Sequence, residues 1–129
     1  MSMFVALLLA AAPAAEPVTF PKAFQGVWDG DAKACAGPHS DGRITIKSKE
    51  IVYWESGGTP TEILSASKRD IRMTLAMSGE GEDWKSQTRF VVDQSGTKLF
   101  SEELPRDGEP YYSTKWFYTK CPSSAKSER

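Results

Sequence analysis

From residue 43 onward, apolar and polar positions alternate at period two almost without interruption, the signature of strands with one buried face. Arg43, Ile44, Thr45, Ile46 and Lys47 alternate with both isoleucines on one side. Ser48-Lys49 permits a turn into residues 50–55, a run rich in β-branched and aromatic side chains that Gly57-Gly58 then breaks. Residues 61–67 form a third, less regular segment. The clearest strand covers 70–77, with Ile71, Met73, Leu75 and Met77 on one face and Arg72, Thr74 and Ala76 on the other. Residues 78–83 read as a loop by composition. A long strand follows over 84–93, where Trp84, Ser86, Thr88, Phe90 and Val92 share a face. Gln94-Ser95-Gly96 supplies a tight turn, 98–103 returns, residues 105–110 turn again and 111–119 closes the chain. In that last strand Tyr112, Thr114, Trp116 and Tyr118 oppose Tyr111, Ser113, Lys115, Phe117 and Thr119. No amphipathic helix of three turns is present.

Seven or eight short strands joined by tight turns predict an all-β antiparallel meander. A meander leaves two exposed edges unless its first and last strands meet. The two cysteines, Cys35 and Cys121, lie near the start and the end of the strand pattern. A disulfide between them would bring those regions within about 6 Å of each other. A small closed barrel is therefore the favoured architecture, ahead of an open two-layer sandwich.

The pairing of two distant cysteines also points to an oxidising compartment. Residues 1–15 agree with that. They carry no charge, hold the apolar run of residues 4–12, and end in Ala11-Ala12-Pro13-Ala14-Ala15. This is the form of a secretory signal peptide cut after Ala12 or Ala15, although no Lys or Arg precedes the apolar run. A single domain over 16–129 follows, with a polar tail expected to fray from about 123. The expected product is periplasmic or secreted, monomeric and without a membrane span. Its 16 basic and 17 acidic residues are interspersed and sum to −1, which argues against nucleic acid or an anionic membrane as a partner.

Phe24-Gln25-Gly26-Val27-Trp28 carries a G-x-W where the first strand should begin. This resembles the opening of lipocalins, small secreted β-barrels. The resemblance implies that Gly26 bends the chain and Trp28 plugs the closed end of the barrel. Lipocalins place an arginine of the last strand over that tryptophan; here Lys115 or Lys120 would have to stand in. The mature chain is also shorter and has no recognisable C-terminal helix.

Candidate chemistry is sparse. His39, the single histidine, sits in Cys35-Ala36-Gly37-Pro38-His39-Ser40-Asp41-Gly42. With Asp41 and Asp29 or Asp31 it could ligate a metal, and beside Ser40 it could act as a base. Neighbours at i and i+2 in a loop seldom converge on one ion, so a solvated loop histidine is the simpler reading. The acidic runs Asp29-Gly30-Asp31 and Glu80-Gly81-Glu82-Asp83 supply oxygens suited to Ca²⁺ but do not match the twelve-residue loop that binds it. Paired carboxylates also serve glycoside hydrolysis, which needs a deep cleft that short loops do not build. No catalytic, metal or cofactor site is predicted. His39, Asp41, Glu80, Glu82 and Asp83 remain as a candidate binding loop set. The aromatic residues would either fill the barrel, the reading preferred at this size, or form an outer partner surface. The functional expectation is an exported, non-enzymatic barrel that binds a small apolar molecule or a hydrolase to be inhibited. An envelope interaction domain is the alternative, and a small hydrolase ranks last.

Overall fold

A computed structural model describes residues 17–105 and 114–127. The leader expected over residues 1–15 and the opening of the last predicted strand, 111–113, lie outside the described residues. Eight strands occupy β1 (Gly26–Asp29), β2 (Arg43–Ile46), β3 (Ile51–Val52), β4 (Gly57–Ala66), β5 (Asp70–Gly79), β6 (Glu82–Val92), β7 (Lys98–Glu103) and β8 (Thr114–Lys120). Each pairs antiparallel with the next, and β8 pairs with β1, so the sheet is a closed barrel. Two short 3₁₀ turns, Lys22–Phe24 and Ala32–Ala36, are the described helical elements. Among the described residues no helix is long and apolar enough to cross a membrane.

The seam is short. β1 and β8 share only the rungs Trp28↔Lys120 and Asp29↔Thr119, extended by the Cys121 amide donating to the Val27 carbonyl at 2.8 Å. Cys35 and Cys121 form the disulfide, with Cα atoms 5.4 Å apart. The bridge therefore fastens the β1–β2 connection onto the residue just past β8, across the pairing that closes the barrel.

One end of the barrel is packed shut. Phe20 and Phe24, on the segment preceding β1, are buried with Trp28, and the Phe20 amide donates to the Ser48 carbonyl below the β2–β3 turn. Phe20 meets Phe90 edge-on at 5.7 Å between ring centres. Ile46, Ile51, Ile71, Met73, Val92 and Leu99 complete this apolar layer. The Trp28 indole N–H donates to the Phe24 carbonyl at 3.0 Å, so the buried ring leaves no donor unsatisfied. Lys120 lies over the same ring, its Nζ 5.4 Å from the centroid. Gly26 has φ +142°, a backbone conformation that favours glycine, and a Cβ there would press on the Lys120 stem at 3.1 Å.

Several local expectations change. Gly57-Gly58 does not end a strand but begins β4, while the strand expected over 50–55 shrinks to β3. The reason is close approach: a Cβ on Gly58 would collide with Met77 Sδ and sit 2.9 Å from the Ala76 carbonyl. The loop expected over 78–83 contracts to Glu80-Gly81, both at positive φ (51° and 77°), a two-residue hairpin turn that lets β5 and β6 run longer. In β2 all four residues are buried, including the outward Arg43 and Thr45. Residues 32–38 and the tail fold over that outer face. The tail is docked there, since the Lys126 carbonyl accepts from Arg43.

Candidate functional site

The inward faces of β5 and β6 explain the site. Ile71 and Met73 at one end and Phe90 and Val92 opposite them are apolar and packed. Toward the other end the inward positions of β6 become Thr88 and Ser86, those of β7 become Ser101 and Glu103, and those of β8 become Trp116 and Thr114. These side chains do not meet across the barrel. They surround a cavity of about 340 Å³, open at the mouth opposite Trp28. Ile44, Leu75 and Met77 form its apolar wall, and Tyr53, Trp84, Trp116 and Tyr118 its aromatic one. Trp116 points inward in register with Ser101 yet is 55 % exposed, as the mouth position requires.

Polar groups inside this cavity are only partly satisfied by the protein. Ser86 and Thr88 hydroxyls bond each other at 2.7 Å. The buried Ser101 and half-buried Tyr53 side chains find no hydrogen-bond partner among the described residues. Burial pushes the Tyr53 phenol well above the ordinary tyrosine range, and the nearby Tyr118 and Glu103 add to the shift. Burial also raises Tyr118, to about 12, with the Asp29 carboxylate contributing. Both phenols are therefore neutral donors at ordinary pH. Such hydroxyls are costly unless water or a ligand completes them.

Of the residues singled out in the sequence, the structure brings few together. His39 and Asp41 are exposed in the β1–β2 connection, and Asp41 reaches the cavity rim. Asp29 is committed elsewhere: its Oδ2 accepts from Arg43 Nε at 3.3 Å, and its Oδ1 accepts from Ser40 Oγ and the Asp31 amide. Asp31 caps the 3₁₀ turn through the Lys33 amide at 2.9 Å. Glu80, Glu82 and Asp83 are exposed around the β5–β6 turn. Glu80 has its carboxyl raised by a hydrogen bond with Glu55 and by that neighbour's charge. Among the described residues no group of three or more His, Cys, Asp or Glu is placed to hold a metal ion.

The cavity residues Tyr53, Ser86, Thr88 and Ser101 carried a signal in the sequence. Each is a polar group on the same phase as a buried apolar neighbour, as Ser86 and Thr88 are with Phe90. A strand face that only packs a core has no use for them. Compared with known proteins, the chain matches no family model, no curated protein and no solved structure.

Proposed function

We propose that the chain is an exported, non-enzymatic binding protein that takes a small ligand into the mouth half of its barrel. The observation that carries this reading is the divided interior. A barrel selected for stability alone would continue the packing of Phe20, Trp28 and Phe90 to its mouth, yet here about 340 Å³ is left open and lined with hydroxyls. That volume lies at the lower end of small-molecule sites, which span about 300–1,000 Å³. Similarity to lipocalins adds support: Gly26 bends the chain, Trp28 fills the closed end and Lys120 of the last strand covers its ring. The Cys35–Cys121 bridge supports export into an oxidising compartment.

The test is titration of the oxidised protein with an environment-sensitive apolar dye, read by dye emission and tryptophan quenching. Saturable binding at one site is expected. Ser101→Phe should fill the cavity, keep the cooperative unfolding transition and abolish binding. Dye that does not bind, or that binds Ser101→Phe unchanged, would overturn the reading.

A second reading has its own observation. Val91, Phe100 and Phe117 lie in register across the outer faces of β6, β7 and β8, and Phe117 is 73 % exposed. The Phe100 and Phe117 rings meet tilted, 5.3 Å between centres, beside a row of Arg89, Glu102 and Lys115. An apolar row with a charged border suits a protein partner in the envelope. Phe100→Ser would then lose partner capture while dye binding persists.

A further inference from the structure

The charge of the cavity differs from that of the chain. Basic and acidic residues number 16 and 17 overall, yet the charged residues lining the cavity are Asp41 and Glu103, with no Lys or Arg among the described lining residues. Glu103 lies on the inward phase at the mouth end of β7, exposed, opposite Thr88 and Thr114, and no described residue forms an ion pair with it. Around the same space stand the π-faces of Trp84, Trp116, Tyr53 and Tyr118. Aromatic rings present a negative face, and a cation held against them in a partly desolvated site is attracted more strongly than in water.

Resting on the binding reading above, we propose that the cavity selects a small organic monocation, an ammonium group on an apolar or single-ring body. The ammonium sits between the Glu103 carboxylate and the tryptophan and tyrosine faces at the mouth. The body extends inward along Leu75, Met77 and Ile44. Buried hydroxyls of Ser101, Ser86 and Thr88 complete the hydration that the ammonium or a polar substituent loses on entry. An anion would meet two carboxylates and the negative faces of the rings with no compensating cation among the described lining. A neutral body would gain the apolar contacts alone. Both signs of selectivity therefore follow from the same lining.

Three matched probes separate the terms: 2-phenylethylammonium, 2-phenylethanol and phenylacetate. Each is titrated to millimolar concentration into the oxidised protein, and the indole N–H signals of Trp84 and Trp116 are followed by NMR. The ammonium should bind about tenfold or more tightly than the alcohol, and phenylacetate least. Glu103→Gln should erase most of the preference for the ammonium over the alcohol while leaving the affinity for the alcohol within about twofold. Trp116→Leu should weaken the ammonium more than the alcohol. Equal binding of ammonium and alcohol, or a preference for phenylacetate, would overturn the cation inference while leaving the cavity as a binding site. If none of the three moves either indole signal, the cation inference falls, while the binding reading stands or falls on the dye titration alone.

Discussion

Arg43→Met should cost this protein about 3–5 kcal/mol, close to half the stability of an ordinary small domain. Arg43 is fully buried on the outside of the barrel, and its guanidinium spreads over three separate pieces of chain. Nε donates to Asp29 Oδ2 at 3.3 Å; Nη2 donates to the Ala34 and Gly37 carbonyls at 2.6 and 3.1 Å; Nη1 donates to the Pro38 and Lys126 carbonyls at 3.4 and 3.1 Å. Methionine fills much of the space but supplies no donor. Asp29 would then be a buried carboxylate held only by Ser40 Oγ and the Asp31 amide. The Gly37, Pro38 and Lys126 carbonyls would have to reach water by lifting the loop and tail. The disulfide still tethers that loop through Cys35, which limits the loss. Urea unfolding of the oxidised protein, followed by tryptophan fluorescence, measures it as a fall in midpoint at nearly constant slope. Adding Asp29→Leu should recover part of the loss, because the uncompensated charge is removed while the carbonyls remain unserved. Arg43→Lys should rescue little, since one ammonium cannot reach four carbonyls and a carboxylate in fork geometry. A cost of Arg43→Met below about 1 kcal/mol, or full rescue by lysine, would refute the assignment of Arg43 as the clamp.

Three further outcomes are expected. Replacing both cysteines with serine should lower stability by up to about 4.6 kcal/mol, the chain-entropy value for a loop of 86 residues, measured by the same urea titration; an unchanged midpoint would mean the two β1–β8 rungs close the barrel unaided. Asp70 pairs with Arg89 at 2.7 Å, and that hydrogen bond holds its carboxyl below the ordinary range, but the two side chains are 39 % and 30 % exposed, so Asp70→Asn should cost only about 0.2–1 kcal/mol at neutral pH. Because the folded value is depressed, that difference should be intact above the unfolded carboxyl value of about 3.9 and vanish as pH falls through the folded one; a gap that persists or grows in acid would contradict the pairing. Ultraviolet titration of the four tyrosines should leave Tyr53 and Tyr118 protonated after pH passes the ordinary value of about 10, their contribution to stability being lost only as pH rises further. Four tyrosines ionising together near that value would show both phenols to be solvated.

The legible part of this fold is the part set by alternation. The inward faces of β5 and β6 follow the 70–77 and 84–93 pattern residue by residue, because each strand pairs along most of its length and one face must be buried. Closure was legible too, from two cysteines and the need to hide two edges. What alternation does not encode is the distance between backbones. Gly57-Gly58 reads as a break, yet β4 passes so near Met77 at Gly58 that no Cβ fits there. Arg43 reads as the solvent side of a half-buried strand, and its burial depends on residues 32–38 and 122–126 folding back from far along the chain. Glu103 reads as the end of a strand before a turn. Its meaning depends on which residues share its layer, and only the register of β6, β7 and β8 supplies that.

The two halves of the barrel place opposite demands on the same sheet. Around Trp28 the interior is full, the rings are satisfied, and Lys120 covers what the backbone leaves open. Around Glu103 the interior is open, and Ser101 and Tyr53 present hydroxyls that the described protein does not complete. An open half contributes little packing, and a seam of two rungs contributes little pairing, so the stability of the closed barrel has to come from elsewhere. The outer clamp of Arg43, Asp29 and the Cys35–Cys121 bridge sits beside that seam and leaves the interior untouched. It lets the mouth keep polar, unfilled positions that a core of this size would otherwise have to surrender to leucine and phenylalanine. Stability and the proposed binding would thus be carried by different residues. Substitutions in the clamp should move the unfolding midpoint without altering ligand preference, while Glu103→Gln and Trp116→Leu should alter preference with little change in midpoint.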